Sequence, residues 1–196
     1  MRYVTEEEVR KLLPMGEAIR LMRETFEALA AGKAINQPRR RLMAPGGSVL
    51  HQMAGATDKY FGTKYYAVNL KHGFHFFFHL FDSATAQPLA LMEANFLGQI
   101  RTGAASGYAT DLLARPDASV LAVIGSGFQA RSQVDAIRCV RHIREVRVFS
   151  RNAENRDALS RIGGEFQQIR LRSEGVSKAQ RDGIHEADVT RSLLRG

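Results

Sequence analysis

Residues 118–151 read ASVLAVIGSGFQARSQVDAIRCVRHIREVRVFSR, and the pattern of these residues decides the fold of this part of the chain. The continuous apolar run Val120–Ile124 is typical of a strand buried on both faces of a parallel sheet. A glycine-rich turn follows, then a helical pattern over 128–141 and a second apolar run over 146–149. The order strand, turn, helix, strand predicts a βαβ unit.

The turn between the first strand and the helix has the spacing G-x-G-x-x-A. Gly125 permits the tight turn, Gly127 lets the backbone approach a pyrophosphate, and Ala130 allows close packing of helix on strand. The helix N-terminus then offers free N–H groups and a positive dipole end to the phosphates, at Phe128 and Gln129. A purely structural glycine turn is the alternative. Because strand, helix and second strand are all in place, the sequence predicts dinucleotide binding.

The residues that follow the second strand, Ser150 and Arg151, bear on which dinucleotide binds. An acidic side chain at this place would accept hydrogen bonds from the ribose and repel a 2′-phosphate. A hydroxyl beside a guanidinium instead suits a 2′-phosphate in charge and geometry. The alternative is a solvated surface arginine. We therefore predict an NAD(P) site that favours NADP(H) over NAD(H).

Composition narrows the class of protein. The chain has 196 residues, of which 44% are hydrophobic and 24% charged, as expected of a folded protein with one domain or two small lobes. The net charge of +8 is spread thinly, so we expect no nucleic-acid partner. The most apolar stretch is too short to span a bilayer, so we expect no membrane insertion. The single cysteine, Cys139, suits a reducing cytoplasm.

The residues before the βαβ unit predict helices followed by antiparallel strands. Thr5 and Glu8 have the spacing of a capping box, and apolar residues in 16–31 recur at helical intervals. Strands are expected on both sides of a Pro-Gly-Gly turn at 45–47 and over 62–69, 74–81 and 89–93. Small residues dominate 102–113, which suits a helix whose backbone lies close to a neighbour.

Basic residues of this first part are candidates for binding an anionic substrate. Arg39, Arg40 and Arg41 begin a strand, so Arg40 should point away from its two neighbours. Lys64 lies in an apolar strand, where a lone ammonium is costly without an anionic partner. Arg101 lies immediately before the small-residue helix. Each of these is, taken alone, more typical of a surface charge. His51 is either an acid–base group or a packed polar residue, and a metal site at His72, His75 and His79 is not expected.

In combination and order, several motifs resemble the ornithine cyclodeaminase and mu-crystallin family. The similarity extends over about residues 1–157. Its motifs are Gln37-Pro38-Arg39-Arg40, Gly62-Thr63-Lys64, the run Leu97-Gly98-Gln99-Ile100-Arg101-Thr102-Gly103-Ala104-Ala105-Ser106, the run Leu113-Ala114-Arg115-Pro116-Asp117-Ala118 and the glycine turn.

The resemblance implies an α/β fold with an N-terminal α+β substrate and dimerisation lobe, residues 1–115, and an incomplete Rossmann lobe, residues 116–196. It implies a homodimer that acts on a small amino or imino acid with a nicotinamide cofactor, by ornithine cyclisation, alanine dehydrogenation or cyclic ketimine reduction. It also implies that Arg40, Lys64 and Arg101 grip the substrate carboxylate, with Lys64 as the catalytic residue. Phe128 and Gln129 would contact the dinucleotide, and Ser150 its ribose.

The last part of the chain departs from this family. Members continue far beyond this length and supply a catalytic aspartate there. Residues 162–196 lack the expected strand alternation, being interrupted by arginines such as Arg170, Arg172 and Arg181. We interpret the segment as atypical and hypothesise truncation, with a frameshift near 159–165. The alternative function is therefore a catalytically inactive cofactor-binding remnant.

Overall fold

A computed structural model describes residues 1–150, 154–155, 159, 170–173 and 188–191. The chain divides into two compact units, and the division runs through a helix between Gly98 and Gln99. Unit 1 contains residues 1–14 and 23–98, and unit 2 contains residues 15–22 and 99–196. The lobe boundary expected between residues 115 and 116 stays a prediction.

Unit 1 is built on a seven-stranded sheet with the order β1-β7-β6-β5-β4-β2, in which β3 also pairs with β4. Strands β4 to β7 form antiparallel neighbours, whereas β1 runs parallel to β7. The hairpin expected around the Pro-Gly-Gly turn is confirmed, because β3 pairs antiparallel with β4. The strands are β1 (Arg2–Val4), β2 (Ile35–Asn36), β3 (Arg40–Met43), β4 (Val49–Ala56), β5 (Tyr60–Asn69), β6 (Gly73–Asp82) and β7 (Pro88–Glu93).

Two helices precede most of this sheet, α1 (Glu6–Leu12) and α2 (Met15–Ala30). The capping box of α1 is confirmed, because the Thr5 side chain accepts from the Glu8 N–H and the Glu8 carboxylate accepts from the Thr5 N–H. Helix α2 ends at Ala30, and Gly32, two residues later, has a φ of 69° that few other residues adopt.

The small-residue helix α3 (Asn95–Leu113) begins seven residues before the expected start at Thr102. Its first N–H groups donate to a carboxylate far away in sequence, because Asn95 N and Phe96 N lie 2.6 and 2.9 Å from Glu6 oxygens. A carboxylate at this end is also favoured by the helix dipole. Since the cap comes from α1, no local sequence signal marks the true start of α3.

Unit 2 is built on a parallel sheet with the order β10-β9-β8-β11. Its elements are β8 (Val120–Ile124), α4 (Ala130–Val140), β9 (Glu145–Phe149), β10 (Arg170–Ser173) and β11 (Asp188–Arg191). In chain order these strands run 3-2-1-4, the arrangement of a Rossmann sheet. The expected α/β fold class, with an α+β lobe and a Rossmann lobe, is confirmed.

The core of unit 2 lies between this sheet and α4. Leu121, Ile137 and Val146 are at most 2% exposed. Helix α3 packs so closely on α4 that a Cβ built on Gly103 would lie 2.3 Å from the Ser132 carbonyl oxygen. The close approach predicted from the small residues of α3 is therefore present, and it holds α3 beside the helix that follows the glycine turn.

Candidate functional site

The glycine turn joins β8 to α4 and leaves open space above its backbone. Gly125 has a φ of 103°, so an L-residue would be strained there. Its N–H donates to the Phe149 carbonyl at 2.8 Å, which ties the turn to the end of β9. A Cβ built on Gly125 or Gly127 would meet no heavy atom within 4 Å. The turn therefore offers an approachable backbone at the carboxyl end of a parallel strand.

Backbone donors of this turn point to an anionic ligand. Among the described residues, the N–H groups of Gly127, Phe128 and Gln129 donate no hydrogen bond. Helix α4 begins at Ala130, and no side chain caps its N-terminus. Its first turn also contains no acidic residue that would neutralise the positive end of the helix dipole. These features fit the pyrophosphate of a dinucleotide, which accepts hydrogen bonds from such N–H groups.

Two side chains hold the turn in place. Ser126 Oγ donates to Ser150 Oγ at 2.7 Å, which links the turn to the residue after β9. Gln99, which is only 8% exposed, donates from its amide to the Phe128 carbonyl. Sequence reasoning did not assign Gln99 a role. Its signal is a polar residue within the small-residue helix, but only the packing of α3 shows which backbone it reaches.

The structure describes all but one of the residues that were predicted to bind the cofactor. Gly125, Gly127, Phe128, Gln129 and Ala130 lie together at the turn, as expected. Ser150 lies beside them through its bond to Ser126. Arg151, proposed to bind a 2′-phosphate, lies outside the described residues.

In unit 1, Lys64 lies on one face of the sheet among aromatic rings. Its Nζ is 5.7 Å from the centroid of Tyr66 and 5.3 Å from that of Phe76, which are distances of cation–π contact. A Cβ built on Gly98 would lie 2.9 Å from this Nζ, so the glycine makes room for the ammonium. The aromatic surroundings explain how an apolar strand carries a half-buried lysine.

The strand register decides which arginine shares the face of Lys64. Arg40 pairs with Gln52, which pairs with Tyr65, so its side chain belongs to the opposite face. Arg39 is on the Lys64 face, because its guanidinium lies 6.0 Å from the Tyr66 ring centroid. The structure therefore does not bring Arg40 and Lys64 to one face, and it places Arg39 there instead.

His51 lies on this same face and is stacked on Tyr66, with ring centroids 4.4 Å apart. Burial, and then the nearby charges of Arg41 and Arg39, lower the pKa of His51 below its ordinary value. Its Nδ1 atom is buried and has no hydrogen-bond partner among the described residues. We call this surface the cationic face; its residues are Arg39, Arg41, His51, Lys64, Tyr66 and Phe76.

Arg101 was expected immediately before α3, but it lies within the helix, in its second turn. The expectation placed the helix start too late, because the capping carboxylate of Glu6 is remote in sequence. Arg101 is an exposed residue of unit 2. Its role in gripping a carboxylate stays a prediction.

The described part of the chain has neither a metal-binding cluster nor a membrane-spanning helix. No group of three or more His, Cys, Asp or Glu residues there is arranged to hold a metal ion. No helix among the described residues has the length and apolar character needed to cross a membrane.

Several known proteins are similar to this chain in sequence or in structure. The chain is 39% identical over 110 residues to a Delta(1)-pyrroline-2-carboxylate reductase of Bacillus cereus, covering 56% of this chain and 33% of that protein. An archaeal alanine dehydrogenase dimer with bound NAD has a TM-score of 0.84 at 29% identity, over 89% of this chain and 56% of that one. The Delta(1)-pyrroline-2-carboxylate reductase of Thermococcus litoralis, in complex with NADH and L-proline, has a TM-score of 0.83 at 27% identity, over 92% and 58%.

The chain thus spans between a third and three fifths of the length of these proteins. The model of the ornithine cyclodeaminase/mu-crystallin family matches residues 2–191. The match continues past residue 157, where we expected the similarity to end, and it includes both β10 and β11. That expected limit is therefore wrong, while the frameshift remains a hypothesis. The chain belongs to the ornithine cyclodeaminase/mu-crystallin family.

Proposed function

We propose that this protein is a nicotinamide-dependent oxidoreductase that acts on a small amino or imino acid. The observation that carries the proposal is the glycine turn. It follows a buried parallel strand, has open space at Gly125 and Gly127, and presents three N–H groups without a partner among the described residues. The relatives with bound NAD, or with NADH and L-proline, support the same cofactor class.

Each unit has its own part in this proposal. A nicotinamide cofactor, when bound, would supply hydride transfer to or from a carbon atom of the substrate. The backbone N–H groups of the turn hold the pyrophosphate, while Gln99 and Ser126 keep the turn in shape. The Lys64 ammonium, supported by two aromatic rings, binds the carboxylate of the substrate and so fixes its orientation.

Other parts of the assignment rest on the family resemblance. In that assignment Lys64 is the catalytic residue, and Arg40 and Arg101 complete its carboxylate grip. Because Arg40 lies on the opposite face of the sheet, we propose only Lys64 and Arg101 for this role. The reaction is ornithine cyclisation with loss of ammonia, alanine dehydrogenation or reduction of a cyclic ketimine. We propose the cytoplasm as the compartment, since a lone cysteine suits reducing conditions.

For the choice of dinucleotide we propose NADP(H). No acidic side chain occupies position 150 to repel a 2′-phosphate, and Ser150 is held beside the turn by Ser126. Arg151 follows directly and would supply the positive charge. A dissociation constant for NADPH lower than that for NADH would support the proposal, and equal constants would contradict it.

The cofactor proposal is tested by titrating the protein with NADH and NADPH and following nicotinamide fluorescence. We expect Gly127→Val to weaken binding at least about tenfold, because its side chain occupies the space that the pyrophosphate needs. Gly46→Val is the matched control, since Gly46 also has open space around it but belongs to the β3–β4 turn. Failure of the wild-type protein to bind either dinucleotide would refute the proposal.

We further propose a homodimer that buries the second face of the unit 1 sheet, with Phe61, Tyr65, Phe77, His79 and Phe81. These rings are half-buried and stack in pairs, such as Tyr65 on Phe77 with centroids 5.8 Å apart. His79 has a buried Nε2 without a hydrogen-bond partner among the described residues. Sedimentation equilibrium should give twice the chain mass, and a monomer at micromolar concentration would contradict this.

A further inference from the structure

The first turn of α3 lies directly against the side chain of Lys64. Gly98 is the fourth residue of this helix, and a Cβ built on it would lie 2.9 Å from Lys64 Nζ and 3.9 Å from Cε. The strand register agrees, because Lys64 pairs with Phe78, and Phe78 pairs with Met92. Met92 and Leu97, a residue of this turn, pack against one buried cluster of unit 1. The ammonium therefore lies where α3 covers the sheet.

This first turn of α3 is held by a carboxylate from α1. Glu6 accepts through both of its oxygens, from Asn95 N at 2.6 Å and from Phe96 N at 2.9 Å. The first N–H groups of an α-helix have no partner within the helix, so an outside acceptor stabilises them. Gly98 N then donates to the Ala94 carbonyl at 3.0 Å, which begins the regular hydrogen bonding of the helix. The position of Gly98, and with it the space left for the lysine, thus depends on Glu6.

Glu6 is itself fixed by its neighbours. Its own N–H donates to Glu93 Oε2 at 2.7 Å, and Glu93 Oε1 accepts from the Tyr3 hydroxyl at 2.9 Å. The last residue of β7 therefore binds the first N–H of α1, while the first residue of α1 binds the first N–H groups of α3. Glu7 differs, because it is exposed and forms an ion pair with Lys11 at 2.7 Å on the surface of α1. The Glu6 carboxylate is thus a fixed part of unit 1.

The Glu6 carboxylate also balances charge beside the lysine. The N-terminal end of a helix carries a partial positive charge, whose effect falls off within the first turn. Gly98 belongs to this turn, so the Lys64 ammonium lies next to the positive end of α3. A carboxylate on the first N–H groups offsets the resulting repulsion. Its removal would loosen the turn and leave the ammonium beside an unbalanced positive end, and both effects displace the ammonium.

We propose that Glu6 is a positioning residue for substrate binding: it holds the first turn of α3 against Lys64 and so fixes the ammonium that binds the substrate carboxylate. The inference rests on the proposed function, because that function assigns the carboxylate to Lys64. Glu6 contacts no substrate in this arrangement and acts through α3. An ammonium that is fixed beforehand loses less conformational entropy when the carboxylate binds, which strengthens binding.

The first experiment compares ligand binding by variants that circular dichroism establishes as folded. Dissociation constants for L-proline and L-alanine are measured by calorimetry with a saturating concentration of the preferred dinucleotide, NADPH or NADH. The constant for the dinucleotide is measured by nicotinamide fluorescence. Glu6→Gln removes the charge and one of two acceptors, so we expect both amino acids to bind at least about threefold more weakly and the dinucleotide to bind unchanged. Glu7→Gln is the matched control, since it removes the same charge from the next residue of α1 and should leave all three constants unchanged.

The second experiment needs no ligand, because it follows the Lys64 amine itself. The rate at which trinitrobenzenesulfonate modifies Lys64 is measured by mass spectrometry of peptides, with the exposed Lys71 of the β5–β6 turn as internal reference. Release of the first turn of α3 exposes the amine, so Glu6→Gln should raise the rate at Lys64 at least about threefold relative to Lys71. A general loss of stability does not change this ratio while the protein stays folded.

A milder variant and a double variant complete the test. Glu6→Asp keeps the charge but is one methylene shorter, so it should change both measurements in the same direction by less. It carries the test if Glu6→Gln does not fold. In a Lys64→Gln background, Glu6→Gln should change L-proline binding by less than about 1.5-fold, because it acts through the missing ammonium. An undiminished effect in that background would contradict the positioning role.

The outcomes separate this inference from the proposed function. If the dinucleotide and the amino acids bind, but a folded Glu6→Gln protein leaves both amino-acid binding and the labelling ratio unchanged, the positioning role is wrong and the proposed function stands. Equal weakening of dinucleotide and amino acids also contradicts the role, because it indicates a general loss. If no dinucleotide binds, the proposed function is refuted, and the labelling ratio still decides whether Glu6 holds α3 against Lys64.

Discussion

The α3–α4 contact of unit 2 is held by close packing, whereas the cationic face of unit 1 presents charged and polar groups. In the helix pair, a Cβ added to Gly103 would overlap the Ser132 backbone, so the close fit of the two helices excludes a side chain at this position. On the cationic face, Lys64 and His51 are only partly buried, and a polar atom of His51 lacks a partner among the described residues.

The difference indicates where stability and binding reside. Fully packed small residues fix the position of α4 and of the turn before it, and they leave no group for a ligand. Half-buried cations and aromatic rings contribute less packing, but they retain charge and hydrogen-bonding capacity for a substrate. Substitutions in the first region should therefore change stability, and those in the second should chiefly change binding and its pH dependence.

The largest effect is expected for Gly103→Ala. The new methyl group would lie 2.3 Å from the Ser132 carbonyl oxygen and 2.6 Å from its carbon, and this backbone cannot yield without moving α4. We expect the free energy of unfolding in urea to fall by about 3 kcal/mol or more. Gly16→Ala is the matched control, since nothing lies within 4 Å of its Cβ position in α2, and it should be neutral or slightly stabilising. Equal stability of the two variants would remove the contrast between the regions.

A smaller loss of stability is expected for Arg141→Ala. The Arg141 side chain is 9% exposed and bonds to Asp111 Oδ1 at 3.0 Å and to three carbonyls at the end of α3. Its removal takes one donor from each of these acceptors, although the Thr110 carbonyl still accepts from Ala114 N. We expect this loss to cost about 2–3 kcal/mol in urea unfolding.

Two further variants sharpen the Arg141 prediction. Arg141→Lys should recover less than half of the loss, because an ammonium cannot reproduce the planar set of donors. Arg144→Ala removes an exposed arginine with a hydrogen bond to Ser119 Oγ, and it should cost less than about 0.5 kcal/mol. Full rescue by lysine would mean that charge, and not geometry, is what α3 requires.

The smallest effect concerns the pH dependence of stability at His51. Its pKa is lowered in the folded protein, so below about pH 6.5 the unfolded chain binds a proton that the folded ring resists. Wild-type stability should therefore decline as the pH falls through this value and level off below the folded pKa. His51→Gln should show a shallower decline between pH 7.5 and 5.5 in thermal unfolding, and identical slopes would contradict the assigned burial.

Much of unit 2 could be predicted from local patterns. The run Val120–Ile124, the glycine spacing and the second apolar run gave β8, the turn and β9 nearly to the residue. Thr5 and Glu8 likewise predicted the start of α1. These features depend on residues within a few positions of one another, so the sequence contains the whole physical cause.

Features that depend on remote partners were missed or assigned differently. Strand β1 exists through pairing with β7, and α3 starts at Asn95 because Glu6 caps it. Neither cause lies within the local sequence. For the same reason Gln99 had no predicted role until α3 was seen beside the turn.

The sequence by itself determined the alternation of the three arginines, the glycine turn that favours a dinucleotide, and the family to which the chain belongs. Only the tertiary structure decided that Arg39 and Arg41, and not Arg40, share the face of Lys64. Alternation along a strand fixes which residues lie opposite each other, but the register between β3, β4 and β5 fixes which neighbours they meet. That register is set by packing across the sheet, which no single stretch of sequence specifies.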